Sequence, residues 1–120
     1  MKKVMVFGTF DRLHEGHLHF FRQAKEAAGE GKEARLVVVV ARDSNVKKEK
    51  GKPPRNDEQE RLAKIKELDI VDEAVLGSEI IDFSTIDDIS PDMIALGYDQ
   101  NTPPGFDEYI KDKNVEIVVV

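Results

Sequence analysis

The 120-residue sequence has no cysteine, which excludes disulfide frameworks, thiolate zinc sites and thiol nucleophiles in one step. It has no apolar run near the roughly 20 residues a membrane helix needs, and its N-terminus shows no apolar signal-peptide segment. Positive charge is outnumbered, 18 Lys and Arg standing against 24 Asp and Glu. The net charge is −6 at pH 7, whereas general nucleic-acid binding calls for a basic footprint. Together these absences predict a soluble, cytoplasmic protein that binds neither nucleic acid nor membrane. With 40% apolar and 35% charged residues, the composition is that of a globular chain about one domain long.

The basic residues are unevenly placed. Residues 47–55 hold Lys47, Lys48, Lys50, Lys52 and Arg55 against the single acid Glu49. One basic segment on an acidic body suggests a local anionic ligand; the competing reading is a solvated surface run.

Short apolar runs punctuate the chain. Val4 to Phe7, Leu36 to Val40, Ala74 to Leu76, Met93 to Leu96 and Val115 to Val120 read as strands, the second apolar on both faces as in a central parallel strand. Helical patterns fill the gaps. From His17 to Ala28, apolar residues recur at helical spacing until Gly29 and Gly31 stop the helix. From Asp57 to Leu68, Leu62, Ile65 and Leu68 form a stripe, with Asn56 or Asp57 as N-cap. Ser84 can cap a short helix that must end before Pro91, and Phe106, Tyr109 and Ile110 mark a last one. Alternation of strand and helix predicts an α/β fold: a Rossmann-like, doubly wound, five-stranded parallel sheet in a single domain. Such sheets bind ligands outside the carboxyl ends of their strands, which directs attention to 8–17, 41–55 and 97–105.

The first of these loops, Gly8 to His17, follows a buried strand and opens a helix. Gly8 lets the chain turn, Gly16 lets a ligand or a second backbone come close, and free N–H groups of the first helical turn suit a phosphate. His14 and His17 stand three residues apart, so their rings can converge and donate hydrogen bonds to a phosphate oxygen. His19 should face elsewhere. Two plainer readings compete: ordinary cap and surface histidines, or a metal site of His14, His17 and Asp11. Against metal, no HExxH pattern and no further strong ligand is visible, so no metal-ligating residue is assigned.

Gly8-Thr9-Phe10-Asp11 followed by His14-Glu15-Gly16-His17 resembles the GTFDxxHxGH signature of the cytidylyltransferase-like nucleotidyltransferases, matched without a gap. The similarity continues through Ala41-Arg42-Asp43, Asn45-Val46-Lys47, Lys50-Gly51-Lys52-Pro53, Glu60-Arg61-Leu62, Val71-Asp72, Ala74 to Gly77 and Pro91 to Gln100, covering roughly residues 3 to 100. These later, individually weaker blocks resemble the archaeal FAD synthase branch more than the glycerol-3-phosphate or choline-phosphate cytidylyltransferases. The resemblance implies that Thr9, Phe10, His14, Glu15, Gly16, His17 and Asp99 bind the nucleotide, with His14, His17 and Lys47 catalytic. Asp11 and Asp43 would face the acceptor or hold loops. Arg42 and Asp43 hold a ribose or pin two loops. Lys50, Lys52 and Arg55 form a candidate phosphate loop, which Arg61 would assist unless it is a surface residue. Tyr98, Gln100 and Asn101 are weaker candidates for reading a base.

The implied reaction is attack of an acceptor phosphate on the α-phosphorus of a nucleoside triphosphate, with release of pyrophosphate and no covalent intermediate. Mg²⁺ or another divalent cation would arrive with the nucleotide. ATP and FMN are the expected substrates, giving FAD; CTP with another phosphorylated small molecule is the alternative. A non-catalytic nucleotide-binding module and a metal-dependent hydrolase are rivals of other classes. Relatives of this kind often pair into homodimers. The family also carries a Ser/Thr-rich motif beyond its fifth strand, so a chain ending at Val120 reads as though a C-terminal segment were absent or supplied by a partner chain. The connection from Gly29 to Ala34 is longer than usual.

Overall fold

The computed structural model describes residues 2–29, 34–78, 83–97, 100, 102, 104–111 and 113–120. Each apolar run becomes a strand: β1 (Lys2–Gly8), β2 (Ala34–Val40), β3 (Glu73–Leu76), β4 (Met93–Leu96) and β5 (Glu116–Val119). All neighbours are parallel, in the order β3-β2-β1-β4-β5. The chain builds outward from β1 through β2 to β3, then crosses back to lay β4 on the other side of β1. That reversal makes β1 and β4 the switch point, where such sheets open a crevice at their carboxyl ends.

Strands this apolar on both faces still alternate. Val4 and Val6 of β1, with Leu36, Val38 and Val40 of β2, join one buried cluster, while Met5 and Val39 join the other. The helices divide accordingly. Phe21, Ala24 and Ala28 of α1 (Glu15–Ala28) and Ile65 of α3 (Glu58–Lys66) pack into the first cluster; Ile86 of α4 (Ser84–Ile89) and Phe106 of α5 (Phe106–Lys111) pack into the second. Full burial of a side chain such as Phe21 contributes roughly 1.5–3 kcal/mol. Among the described residues, no helix is long and apolar enough to cross a membrane.

Three local expectations are corrected. Residues 43–50 form a helix, α2 (Asp43–Lys50), so Lys47, Lys48 and Lys50 sit on its last turn and only 51–57 is loop. With Val46 as its one buried residue, α2 has no apolar stripe to announce it. Ser84 is the first residue of α4 and Phe83 occupies the N-cap position; the Ser84 hydroxyl lies 2.9 Å from that of Ser78. The first helix begins at Glu15 and not His17, with His14 as its N-cap. Asp57 does cap α3, accepting from the Glu60 N–H at 2.8 Å. The Gly29–Ala34 connection lies largely outside the described residues.

Candidate functional site

Past Gly8 the chain runs through residues 9–13 to His14. Phe10 has φ 52°, in the left-handed region that costs a non-glycine residue roughly 1–3 kcal/mol. Its ring turns inward and is only 7% exposed, edge-on to Phe21 at 5.2 Å and to His17 at 5.5 Å between centroids. It lies over Gly8, where a Cβ would come within 2.9 Å of the ring. Gly8 therefore makes room for Phe10, and Phe10 is a prop beneath His17. The expectation that Phe10 binds the nucleotide is corrected for its side chain, which belongs to the core.

The two histidines cap the helix reciprocally. His14 Nδ1 accepts from the Gly16 N–H at 3.0 Å, and His17 Nδ1 accepts from the His14 N–H at 3.3 Å. This is a capping box built from two imidazoles in place of a hydroxyl and a carboxylate. A ring nitrogen that accepts from an N–H carries no proton, so both rings are held as Nε2–H tautomers. Their centroids are 4.0 Å apart. Burial, reinforced by the adjacent His14, holds His17 below the ordinary value of 6.5, which favours the neutral ring that the cap requires. The result is two neighbouring Nε2–H donors at the carboxyl end of β1. His19 is exposed and takes no part.

Gly16 serves that pair. A Cβ there would lie 2.8 Å from His14 Cε1, so the space assigned from sequence to a ligand or backbone is taken by the His14 ring. The N–H groups of His14 and Gly16 are likewise spent on imidazoles, and the helix end offers fewer free donors than expected. Glu15 is exposed, and Thr9 is half-buried.

Asp11 turns toward the basic segment. Its carboxylate accepts from the Arg55 N–H at 2.7 Å and the Asn56 N–H at 2.8 Å, while Asn56 Nδ2 donates to the Asp11 carbonyl at 2.5 Å. Burial would raise the Asp11 pKa, but the bonds from Asn56 and Arg55 and the charges of Arg61 and Arg55 outweigh it and leave it below the usual 3.8. Among the described residues, Asp11, His14 and His17 do not form a group placed to hold a metal ion. Of its two expected places, acceptor-facing or loop-holding, its contacts are those of the second.

Arg61 overturns its expectation. It is 1% exposed, the one buried charged residue among those described. Nε donates to the Asn56 carbonyl at 3.0 Å, Nη1 to the Thr9 carbonyl at 2.8 Å and Nη2 to Asp43 at 2.6 Å. It is neither a surface residue nor a reachable phosphate ligand. The sequence did carry the signal: Arg61 stands at i−4 from Ile65 and i−7 from Leu68, on the apolar stripe. Beside it, Arg42 donates to the Gly77 carbonyl at 2.8 Å and to Glu58 at 2.9 Å, and Glu58 also accepts from the Asp43 N–H at 3.0 Å. Arg42 and Asp43 thus pin loops. Asn56 and Glu58, which sequence reasoning did not single out for the site, complete this framework.

Lys47, Lys50, Lys52 and Arg55 have exposed side chains along α2 and the loop after it. None of the four makes an ion pair among the described residues. Gln100, expected as a base reader, spends its amide on the backbone, accepting from the Gly97 N–H at 3.1 Å and donating to the Phe7 carbonyl at 2.7 Å. It ties β4 to β1 across the switch point. Tyr98, Asp99 and Asn101 lie outside the described residues.

A model of the cytidylyltransferase-like family matches residues 5–120. The FAD synthase of Thermococcus sibiricus is 42% identical over 120 residues, spanning 98% of this chain and 78% of that protein. That of Methanothermus fervidus is 46% identical, spanning 97% and 79%. Among solved structures, a lipopolysaccharide core biosynthesis protein from Thermoplasma volcanium GSS1 superposes with a TM-score of 0.86 at 42% identity, over 100% of this chain and 96% of that one.

Proposed function

The chain belongs to the cytidylyltransferase-like family, and from that premise we propose that it is a nucleotidyltransferase making FAD from ATP and FMN. The observation that carries the chemistry is the pair of imidazoles locked as Nε2–H donors at the end of β1. The observation that favours this substrate pair is the set of relatives named FAD synthase.

In this reading a phosphate oxygen of FMN attacks the α-phosphorus of ATP. The new P–O bond forms as the bond to the β-phosphate oxygen breaks, and pyrophosphate leaves with the electron pair. The FMN phosphate is already ionised, so the protein needs no strong base. Its work is alignment and charge neutralisation. The Nε2–H groups of His14 and His17 donate to the α-phosphate oxygens, more strongly as charge builds there. Thr9, Glu15, Gly16, the backbone of Phe10 and Asp99 belong to the nucleotide's surroundings, and Lys47, Lys50, Lys52 and Arg55 face the departing pyrophosphate. A divalent cation arriving with the nucleotide would supply further charge neutralisation. A cytoplasmic location goes with these substrates.

The test is pyrophosphate release from ATP with FMN, run beside CTP with glycerol 3-phosphate. Release with ATP that requires FMN is expected, and His14→Ala should lower its rate about 10²- to 10³-fold, the cost of one lost transition-state donor. Release only with CTP would move the protein to a cytidylyltransferase. Nucleotide binding without release in either mixture would make it a binding module.

A further inference from the structure

The buried guanidinium of Arg61 joins three separate parts of the carboxyl edge, and nothing in the reaction described above uses it. Thr9, whose carbonyl it holds, begins the loop that delivers His14. Asp43 opens α2, which carries Lys47 and Lys50. Asn56 lies in the loop that carries Lys52 and Arg55. The partners on Thr9 and Asp43 are 52 and 18 residues away in sequence, so these are tertiary ties and not helix-terminal capping. A second tie closes the figure: Asp11, two residues after Thr9, holds the Arg55 and Asn56 N–H groups. The histidine loop and the basic segment are therefore latched together from beneath by Arg61 and from the rim by Asp11.

We infer that Arg61 is a positioning residue that sets the basic segment, through Asn56, Asp43 and the Asp11 latch, at the distance from the histidine pair that a triphosphate spans. The inference rests on the nucleotidyltransferase reading. A bland alternative gives Arg61 a purely structural role, as a buried charge satisfied wherever acceptors happened to lie. The two differ in what they demand of the ligand. A residue that registers the basic segment matters for the β- and γ-phosphates, which AMP lacks. A residue that only supports the fold matters equally for ATP and AMP.

Lysine is the informative replacement, because it keeps the charge but not the planar fork that reaches three acceptors at once. In the full chain, Arg61→Lys is expected to weaken ATP binding roughly tenfold or more, the scale of a lost charge-assisted bond. AMP binding should change by less than about twofold, the scatter between uncoupled sites. In the same protein, without nucleotide, amide exchange should accelerate at Arg55 and Asn56 while that of β1 stays unchanged. Equal loss of ATP and AMP affinity, or unchanged exchange at Arg55 and Asn56, would overturn the inference. Should Arg61→Lys not fold, Asp11→Ala cuts the same latch at its more exposed end and carries the same expectations. A wild-type chain that binds no ATP would defeat the nucleotidyltransferase reading instead, and the exchange measurement would then decide the latch alone.

Discussion

At the scale of single residues, the site is built from pairs in which one residue exists to seat another. Gly8 seats the Phe10 ring, Phe10 props His17, and Gly16 leaves space for His14. Gly16→Ala separates helix preference from function. Alanine at this second helical position is favoured over glycine by about 0.8–1.0 kcal/mol, offset by roughly 1 kcal/mol if the His14 cap is displaced. Thermal stability should therefore move little. Activity should fall at least tenfold, because the new Cβ needs the place that His14 Cε1 occupies at 2.8 Å and a donor misplaced by about 1 Å costs up to 10²-fold. Thermal melts beside the pyrophosphate assay check both halves; a variant with normal activity would show that the His14 ring moves without consequence. The types and spacing of His14, Gly16 and His17 were legible in the sequence. Their use of Nδ1 as caps was not, because a tautomer depends on where neighbouring N–H groups point in space.

At the scale of elements, strands were easier to read than helices. Five apolar runs became five strands. The inner strands β2, β1 and β4 bury residues on both faces and need an unbroken apolar segment, which the sequence displays directly, while β3 and β5 close the two edges and are partly exposed. A helix shows itself by periodicity, and α2, with Val46 as its one buried residue, has none. Its termini were the readable part: Asp43 in the first turn, lysines in the last and Gly51 just past the end, charges and cap as the helix dipole favours. Gly51 has φ 78° in the left-handed region, and a Cβ there would meet nothing within 4 Å. Gly51→Ala thus measures backbone strain alone. It should cost about 1–2 kcal/mol and lower the melting midpoint by several degrees, with fraying confined to α2 in amide exchange. An unchanged midpoint would mean that this turn adapts freely.

At the scale of the whole molecule, charge is segregated. A chain of net charge −6 gathers five of its cations in residues 47–55, on exposed positions that make no ion pair among the described residues. Attraction between such a segment and a triphosphate is screened within about 10 Å at 0.1 M salt and about 3 Å at 1 M. ATP affinity should fall several-fold between those concentrations, and neutralising Lys50 and Lys52 together should flatten the dependence. Titrations of wild type and double variant in both salts check this; equal slopes would place the triphosphate elsewhere. The sequence by itself determined the parallel α/β sheet, the histidine loop and the basic segment. Each rests on a local pattern: an apolar run, a spacing of three, a cluster of like charges. Only the tertiary structure decided that Phe10 and Arg61 are buried, that Asp11 binds the Arg55 and Asn56 backbone, and that Gln100 ties β1 to β4. The bonds of Arg61, Asp11 and Gln100 are fixed by partners distant in sequence, and a side chain's burial or bond is settled by what the fold brings to it.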